Sequence, residues 1–302
     1  MKRLAVLSFV LFLPVLVFSQ VKPVVIESTI DYQSGKLDGF IVSISEVKPD
    51  DVQKAWVKTL EKGTRSRADV FETYNISIID AELDDISDST LNAYSTIKAI
   101  DTLVILNVAF EIAPNEYISS SNYSSEAALA KLFLFDFARN QYMEVLKEKL
   151  KEEEKELKSL ERDMNKAERD KEKMEKDIVA YDNDILQAEE NIMDLEYDLD
   201  KKQEEIVAQK EKVSIISPSN EEFKKEAEDM LKDLEKDRKK IFRDIEKNKK
   251  DIVKFNSKIQ KTELDIAENI SEQEIIRQMI SEQQIDVSKA EKKLRMVEEM
   301  EL

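Results

Sequence analysis

Apolar side chains recur at alternating intervals of three and four residues through most of the second half of the chain. Fifteen of nineteen positions at this spacing are apolar between Leu150 and Val213, and fifteen of twenty-one between Ala227 and Val297. A repeat kept in one register over so many heptads predicts coiled-coil helices. No Gly follows Gly63, which removes a common helix breaker from both runs. We call the positions of this repeat the seam.

The two runs are separated by a short segment that carries helix-ending and helix-starting signals. Pro218 ends the first run, and Ser219 with Glu222 three residues later forms a capping-box pattern. Because a short connection between helices favours antiparallel neighbours, residues 126–302 are predicted to form a coiled-coil hairpin with its turn at about 214–220. Folding back at this turn places Val297 near Asp136, and the C-terminal end beside the apolar residues Leu132, Phe133 and Phe137.

Several seam positions are polar, and two interpretations remain open for them. Asparagine and glutamine at such positions can specify register, while Lys and Arg can bury their stems and keep their charges in water. The alternative is a mobile or partner-facing stretch, for which residues 262–283 are the candidate because their seam is the most polar. The positions concerned are Lys171, Lys202, Arg238, Asn248, Asn269 and Gln273.

Residues 20–125 are predicted to form an α+β domain. Segments 24–26, 40–45, 70–79, 91–100 and 103–112 show strand-type patterns, the last apolar on both sides and therefore central. A helix is predicted from Pro49, with Trp56 on its buried face, and another from Ser124. The order of strands, helix, strands and helix fits an antiparallel sheet with helices on one face, in a ferredoxin-like fold or a related small sandwich.

The first nineteen residues have the pattern of a cleaved secretory signal. Lys2 and Arg3 precede the apolar run 4–17, and Val17 and Ser19 are small residues that suit cleavage. An uncleaved anchor is the alternative, but the run is shorter than the ~20 residues that span a bilayer. We therefore expect an exported protein, in a bacterial periplasm or secreted, with no membrane insertion after cleavage.

Charge and composition restrict the chemistry that can be expected. The net charge of −18 argues against nucleic acid as a partner. The chain has no Cys and no His, so it lacks disulfides, Cys/His zinc sites, thiol nucleophiles and imidazole bases. The acidic stretch 80–85 lacks the Gly and Glu that a calcium loop requires at its sixth and twelfth positions. No catalytic, cofactor or metal site is predicted, and we expect a protein that is not an enzyme.

The turn of the predicted hairpin is the candidate binding site. Two adjacent isoleucines occupy a turn where polar residues are the norm, which points to a protein partner of unknown identity. The predicted function is an exported scaffold or adaptor that uses its coiled-coil arm for protein–protein interaction in the cell envelope. The candidate residues are Ile215, Ile216, Ser217, Pro218, Ser219 and Asn220.

A periplasmic holdase chaperone with helical arms is the alternative function. The plan of a signal, a small β-containing body and long helices resembles Skp-type chaperones in architecture, although no motif carries the resemblance. That resemblance implies clasping of unfolded exported clients. The heptads can also pair between chains, so a homo-oligomer is a further expectation.

Overall fold

The computed structural model describes residues 22–33, 35–217 and 220–302, so the predicted signal sequence, Pro218 and Ser219 lie outside the described residues. The fold is α+β, an antiparallel sheet followed by a long antiparallel helical hairpin, as predicted. The chain forms two compact units. One contains the sheet with residues up to Lys155 and Ile285–Leu302, and the other comprises Glu156–Gln284.

The first unit is organised by a seven-stranded antiparallel sheet with strand order β1-β2-β6-β5-β4-β3, in which β7 pairs with β6. The predicted central position of the strand after residue 103 is confirmed, because β6 pairs with both β2 and β5. The strands are β1 (Val25–Tyr32), β2 (Gly35–Ser45), β3 (Asp69–Phe71), β4 (Asn75–Ala81), β5 (Leu91–Ile100), β6 (Leu103–Ala113) and β7 (Glu116–Tyr117).

Two details of the sheet differ from the predictions. A ferredoxin-like arrangement, βαββαβ, is wrong, because five consecutive antiparallel strands follow the first helix. The segment predicted as one strand over 70–79 is a hairpin of β3 and β4. Glu72, Thr73 and Tyr74 between them adopt positive φ angles of 45°, 37° and 81°. Such a turn usually contains Gly or Asn, and neither occurs among these three residues to signal it.

The helices on one face of the sheet enclose the main core. Helix α1 (Pro49–Leu60) and the first turns of helix α2 (Ser124–Ile215) both pack on this face. Trp56 is fully buried, donates its indole N–H to Ser95 Oγ at 2.9 Å, and lies 4.9 Å from the ring of Phe137. Its predicted role as a core residue is confirmed.

The opposite face of the sheet curls upon itself. The Tyr32 ring on edge strand β1 lies 5.3 Å from Tyr94 on β5 and 6.4 Å from Phe71 on β3. Ile30, Leu37 and Ala109 are buried beneath these rings in a second, smaller core. The curl therefore covers apolar residues on a face that has no helix packed against it.

The C-terminal segment returns to the sheet-bearing unit, but at a different level of α2 from the one predicted. Val297 of helix α3 (Glu221–Glu298) packs against Tyr142 and Leu146 rather than beside Asp136. Arg139 Nη1 also donates to the carbonyl of Met300 at 2.9 Å. The difference arises because α2 continues to Ile215 and α3 starts at Glu221, which moves the turn towards the C-terminus. A shift of the turn by one residue changes the sum of the residue numbers of two facing residues by two.

The second unit is an antiparallel pair of helices that meet along the predicted seam. Every seam position from Leu150 to Val213 and from Ala227 to Val297 is buried or half-buried, including the polar ones. Within this unit Tyr181 stacks on Phe255 with ring centroids 6.2 Å apart. Gln209 Nε2 donates to the Ala227 carbonyl at 3.0 Å, which closes the seam near the turn.

Candidate functional site

The predicted site lies where α2 ends and α3 begins. Ile215 is the last residue of α2 and is 81% exposed, whereas its neighbour Ile216 is half-buried. The Asn220 amide donates to the Ser217 carbonyl at 3.0 Å, and the Asn220 carbonyl accepts from the Lys224 amide at 3.0 Å. These bonds order the start of α3.

The structure adds Phe223 to this site. Phe223 lies in the first turn of α3, eight positions after Ile215, and is 67% exposed. The sequence contains a signal for it: the seam runs back from Leu231 through Ala227 to Lys224, so Phe223 falls beside the seam rather than on it. We call Ile215, Phe223 and the connection between them the tip. Exposed aliphatic and aromatic side chains of this size provide contact area that a partner can bury.

The seam positions of the polar stretch, residues 262–283, are buried or half-buried within the second unit. Gln273 and Gln283 are each only 9% exposed. Gln273 Nε2 donates to Asn269 Oδ1 at 2.8 Å, and Thr262 Oγ1 donates to the Lys258 carbonyl at 2.9 Å. Because these side chains are buried or half-buried and hydrogen-bonded, their arrangement favours register specification over a partner-facing stretch.

One electrostatic site of the first unit is centred on Glu46. This residue follows β2 with a positive φ of 59° and accepts hydrogen bonds from Lys149 and Tyr142 of α2 and from Lys293 of α3. Burial acts to raise the pKa of Glu46, but the hydrogen bonds and charges of the two lysines outweigh it and lower the pKa to about 2. The carboxylate thus joins the sheet to both helices, which is a structural role.

A second polar group lies near one end of the sheet, on the face without helices. Glu111 accepts hydrogen bonds from Asn92 at 2.7 Å, from Tyr94 at 3.0 Å and from the Asn115 amide at 2.8 Å. Burial, and then the hydrogen bond to Glu111, raise the pKa of Tyr94 to about 12. These partners occupy both carboxylate oxygens of Glu111, so the arrangement fits a structural network better than an acid–base pair.

Two properties of the described residues bear on ligands and membranes. Within residues 22–33, 35–217 and 220–302, no group of three Asp or Glu side chains is arranged to hold a metal ion. In the same ranges no helix has the length and apolarity needed to cross a bilayer.

Comparison with known proteins gives one structural match. No family model matches the chain, and no curated protein matches it. A crystal structure of a coiled-coil segment of Smc from Pyrococcus yayanosii is similar at 22% sequence identity and a TM-score of 0.45. The match covers 53% of this chain and 66% of that one, just under two thirds of its length. A similarity of this extent identifies neither a family nor a function.

Proposed function

We propose that this protein is a non-enzymatic, exported scaffold or adaptor whose helical hairpin binds a partner protein through its tip. The observation that carries the proposal is the pair of large apolar side chains, Ile215 and Phe223, exposed at 81% and 67% around one short connection. Polar residues would be expected in such a connection if it had no partner. The proposed export rests on the leader pattern, and the non-enzymatic role rests on the absence of His and Cys from the sequence.

The partner that suits the tip has an apolar groove. Exposed large apolar residues are most stabilising at an interface when they insert into a pocket that removes them fully from water. Such contacts depend weakly on salt, since they involve no charge. Binding through the tip should therefore persist at high ionic strength.

The test compares partner capture by one double variant and one single variant of the full chain. Ile215→Asp with Phe223→Asp places charge on the tip, whereas Leu264→Asp changes a side chain that is 72% exposed elsewhere on the same hairpin. We expect the tip variant to lose the captured protein and the Leu264 variant to retain it. Purified partner is then titrated against both variants. Equal capture and equal affinity for both would reject tip binding.

A holdase activity is a second candidate, because both helices of the second unit carry exposed apolar side chains away from the tip. Leu186, Met193 and Tyr197 are 62%, 65% and 73% exposed. These side chains could contact unfolded clients along the helices rather than at the turn. Suppression of aggregation of a denatured outer-membrane protein by the wild type and by the tip variant alike would favour this function over the adaptor.

A further inference from the structure

One side of the hairpin in the second unit combines opposite charges with exposed apolar residues. When the seam positions are labelled a and d of the heptad, this side contains positions b and e of both helices and the adjacent position f. We call it the mixed face, over residues 179–204 of α2 and 235–253 of α3. Two contacts place both helices on it: Lys249 with Glu196 at 3.9 Å and Arg238 with Gln203 at 2.9 Å. Lys210, beyond the α2 range of the face, pairs with Glu235 at 3.4 Å on the same side.

The α2 half of the mixed face carries acidic residues beside a row of apolar side chains. Val179, Leu186 and Met193 recur every seven residues at position b and are 59%, 62% and 65% exposed. Seven residues form almost two helical turns, so these side chains lie one above another. No Lys or Arg occupies positions b, e or f in this range. The acidic residues there are Asp182, Glu189, Glu190, Glu196, Asp200 and Glu204.

The α3 half has the opposite charge. Its apolar members are Phe242 and Val253, which are 56% and 69% exposed. Two acidic residues, Glu235 and Glu246, are outnumbered by the bases of the same positions. Those bases are Lys236, Lys239, Arg243, Lys249 and Lys250.

These opposite charges are not neutralised within the hairpin. Among the described residues, Glu196 and Lys249 form the one ion pair that joins the acidic set to the basic set, and their 3.9 Å separation is long. The other members point away from the seam and are solvent-exposed. An open groove of about 530 Å³ lies between the two halves, with Asp200, Phe242 and Arg243 among its lining residues.

We propose that the mixed face is a homodimer interface, on which the acidic α2 half of one copy packs against the basic α3 half of a second copy. The charge pattern is self-complementary, as an interface with two-fold symmetry requires. The two ranges span roughly 39 Å of α2 and roughly 28 Å of α3, and at a width of about 10 Å per helix they give roughly 670 Å² per copy. This area is close to the ~800 Å² per partner of a standard stable interface.

The charges also select the orientation of the two copies. A two-fold axis parallel to the hairpin places α2 over the partner's α3 and keeps both turns at the same end. An axis across the hairpin would place α2 over α2, so that acidic residues face acidic residues. The dimer is therefore parallel, a four-helix arrangement with opposite charges in contact.

Charge reversal of the full chain tests the interface by mass measurement in solution. One variant carries Glu189→Lys and Glu196→Lys, and the other carries Lys239→Glu and Arg243→Glu. Each alone should fall from the dimer mass to the monomer mass, because the two reversed side chains then face partner residues of the same sign. An equimolar mixture of the two should recover the dimer mass as a heterodimer. The matched control, Asp184→Lys with Asp198→Lys, changes the same charge at exposed g positions on the other side and should remain dimeric.

Cross-linking tests the orientation. The chain has no cysteine, so Gln203→Cys and Asn256→Cys each provide a unique thiol at an uncharged e position. Gln203 lies within the face, and Asn256 lies three residues beyond its α3 range. A parallel dimer should cross-link through either thiol, whereas an antiparallel dimer would bring neither close to its own copy.

Several results would overturn the proposal. They are a monomeric wild type at every concentration, retention of the dimer by both charge-reversed variants, or failure of the mixture to re-form it. Binding of heparin by a monomeric wild type, lost with Lys239→Glu and Arg243→Glu, would instead identify the basic half as a polyanion site. The tip is intact in all these variants, so failure here and failure of tip binding are distinguishable.

Discussion

Lys293 Nζ donates a hydrogen bond of 2.7 Å to Glu46 although 247 positions separate the two residues in sequence. Glu46 follows β2, and Lys293 lies near the end of α3. The same carboxylate also pairs with Lys149 of α2. One side chain therefore joins three elements of the first unit, which makes it a sensitive reporter of how that unit is assembled.

The Glu46 ion pairs should make stability fall in acid. The pKa of Glu46 is about 2 in the folded protein and about 4.5 in the unfolded chain, so the unfolded state binds the proton first as pH falls. The stabilisation is complete above pH 4.5 and is lost between about pH 4.5 and 2. Because the group is partly exposed, we expect about 1–2 kcal/mol. Denaturant unfolding at several pH values measures it. Glu46→Gln should flatten this part of the profile, and an unchanged profile would contradict the prediction.

Removing the hydrogen-bond partner of the buried indole should destabilise the first unit. Ser95→Ala leaves the Trp56 N–H without its 2.9 Å acceptor in a fully buried position. The expected loss is about 1–3 kcal/mol. Tryptophan fluorescence reports the unfolding directly, since Trp56 is the one Trp in the chain. Ser43→Ala, at a half-buried position of β2, serves as the control. Equal midpoints for the two variants would show that the hydrogen bond contributes little.

Gly39 should not tolerate a side chain. A Cβ atom at this position would lie 2.4 Å from the Val108 carbonyl oxygen of the neighbouring strand β6. Because that atom belongs to the backbone, relief requires movement of the strands, and Gly39→Ala should cost about 1–3 kcal/mol or more. Thermal unfolding followed by circular dichroism measures the effect. Lys36→Ala, at an exposed position of the same strand, should unfold near the wild-type temperature; similar losses for both would contradict the steric explanation.

Adjacent residues of α2 should differ sharply in their contribution to the hairpin. Ile206 is fully buried at the seam, while Val207 is 49% exposed. Ile206→Ala removes buried methyl groups and leaves a cavity, so we expect a loss of about 2–4 kcal/mol. Val207→Ala should change stability by less than about 0.5 kcal/mol. Urea unfolding monitored by helicity compares them. A similar effect of both substitutions would mean that the two helices do not pack at this level as described.

Much of the fold could be predicted because its signals are local. The seam repeat fixed the helical regions and the seam face of each helix, since a 3–4 spacing places apolar residues on one side whatever the surroundings. The strands at 91–100 and 103–112 and the helix start at Ser124 followed from alternation and composition in the same way. The turn between β3 and β4 was not predictable, because Glu72, Thr73 and Tyr74 adopt left-handed conformations without Gly.

The residues of the candidate site also divide into those that the sequence indicated and those that only the structure revealed. Ile215 could be identified from sequence, because an apolar residue in a predicted turn is anomalous by itself. Phe223 required the structure, since exposure depends on where α3 begins and which of its faces meets α2. The mixed face required it too: each helix has its own charge pattern in the sequence, but only the paired helices bring the acidic and basic sets to one side.

The sequence by itself determined the period of the helices, the position of their turn to within a few residues and the α+β class of the first unit. These properties depend on spacing and on residues near one another in the chain. Tertiary structure decided the strand order, the curl that brings Tyr32 to Tyr94, and the junction of Glu46 with Lys149 and Lys293. Those contacts join residues far apart in sequence, and they form because burial and ion pairing favour one packing of the elements over the alternatives that the same local patterns permit.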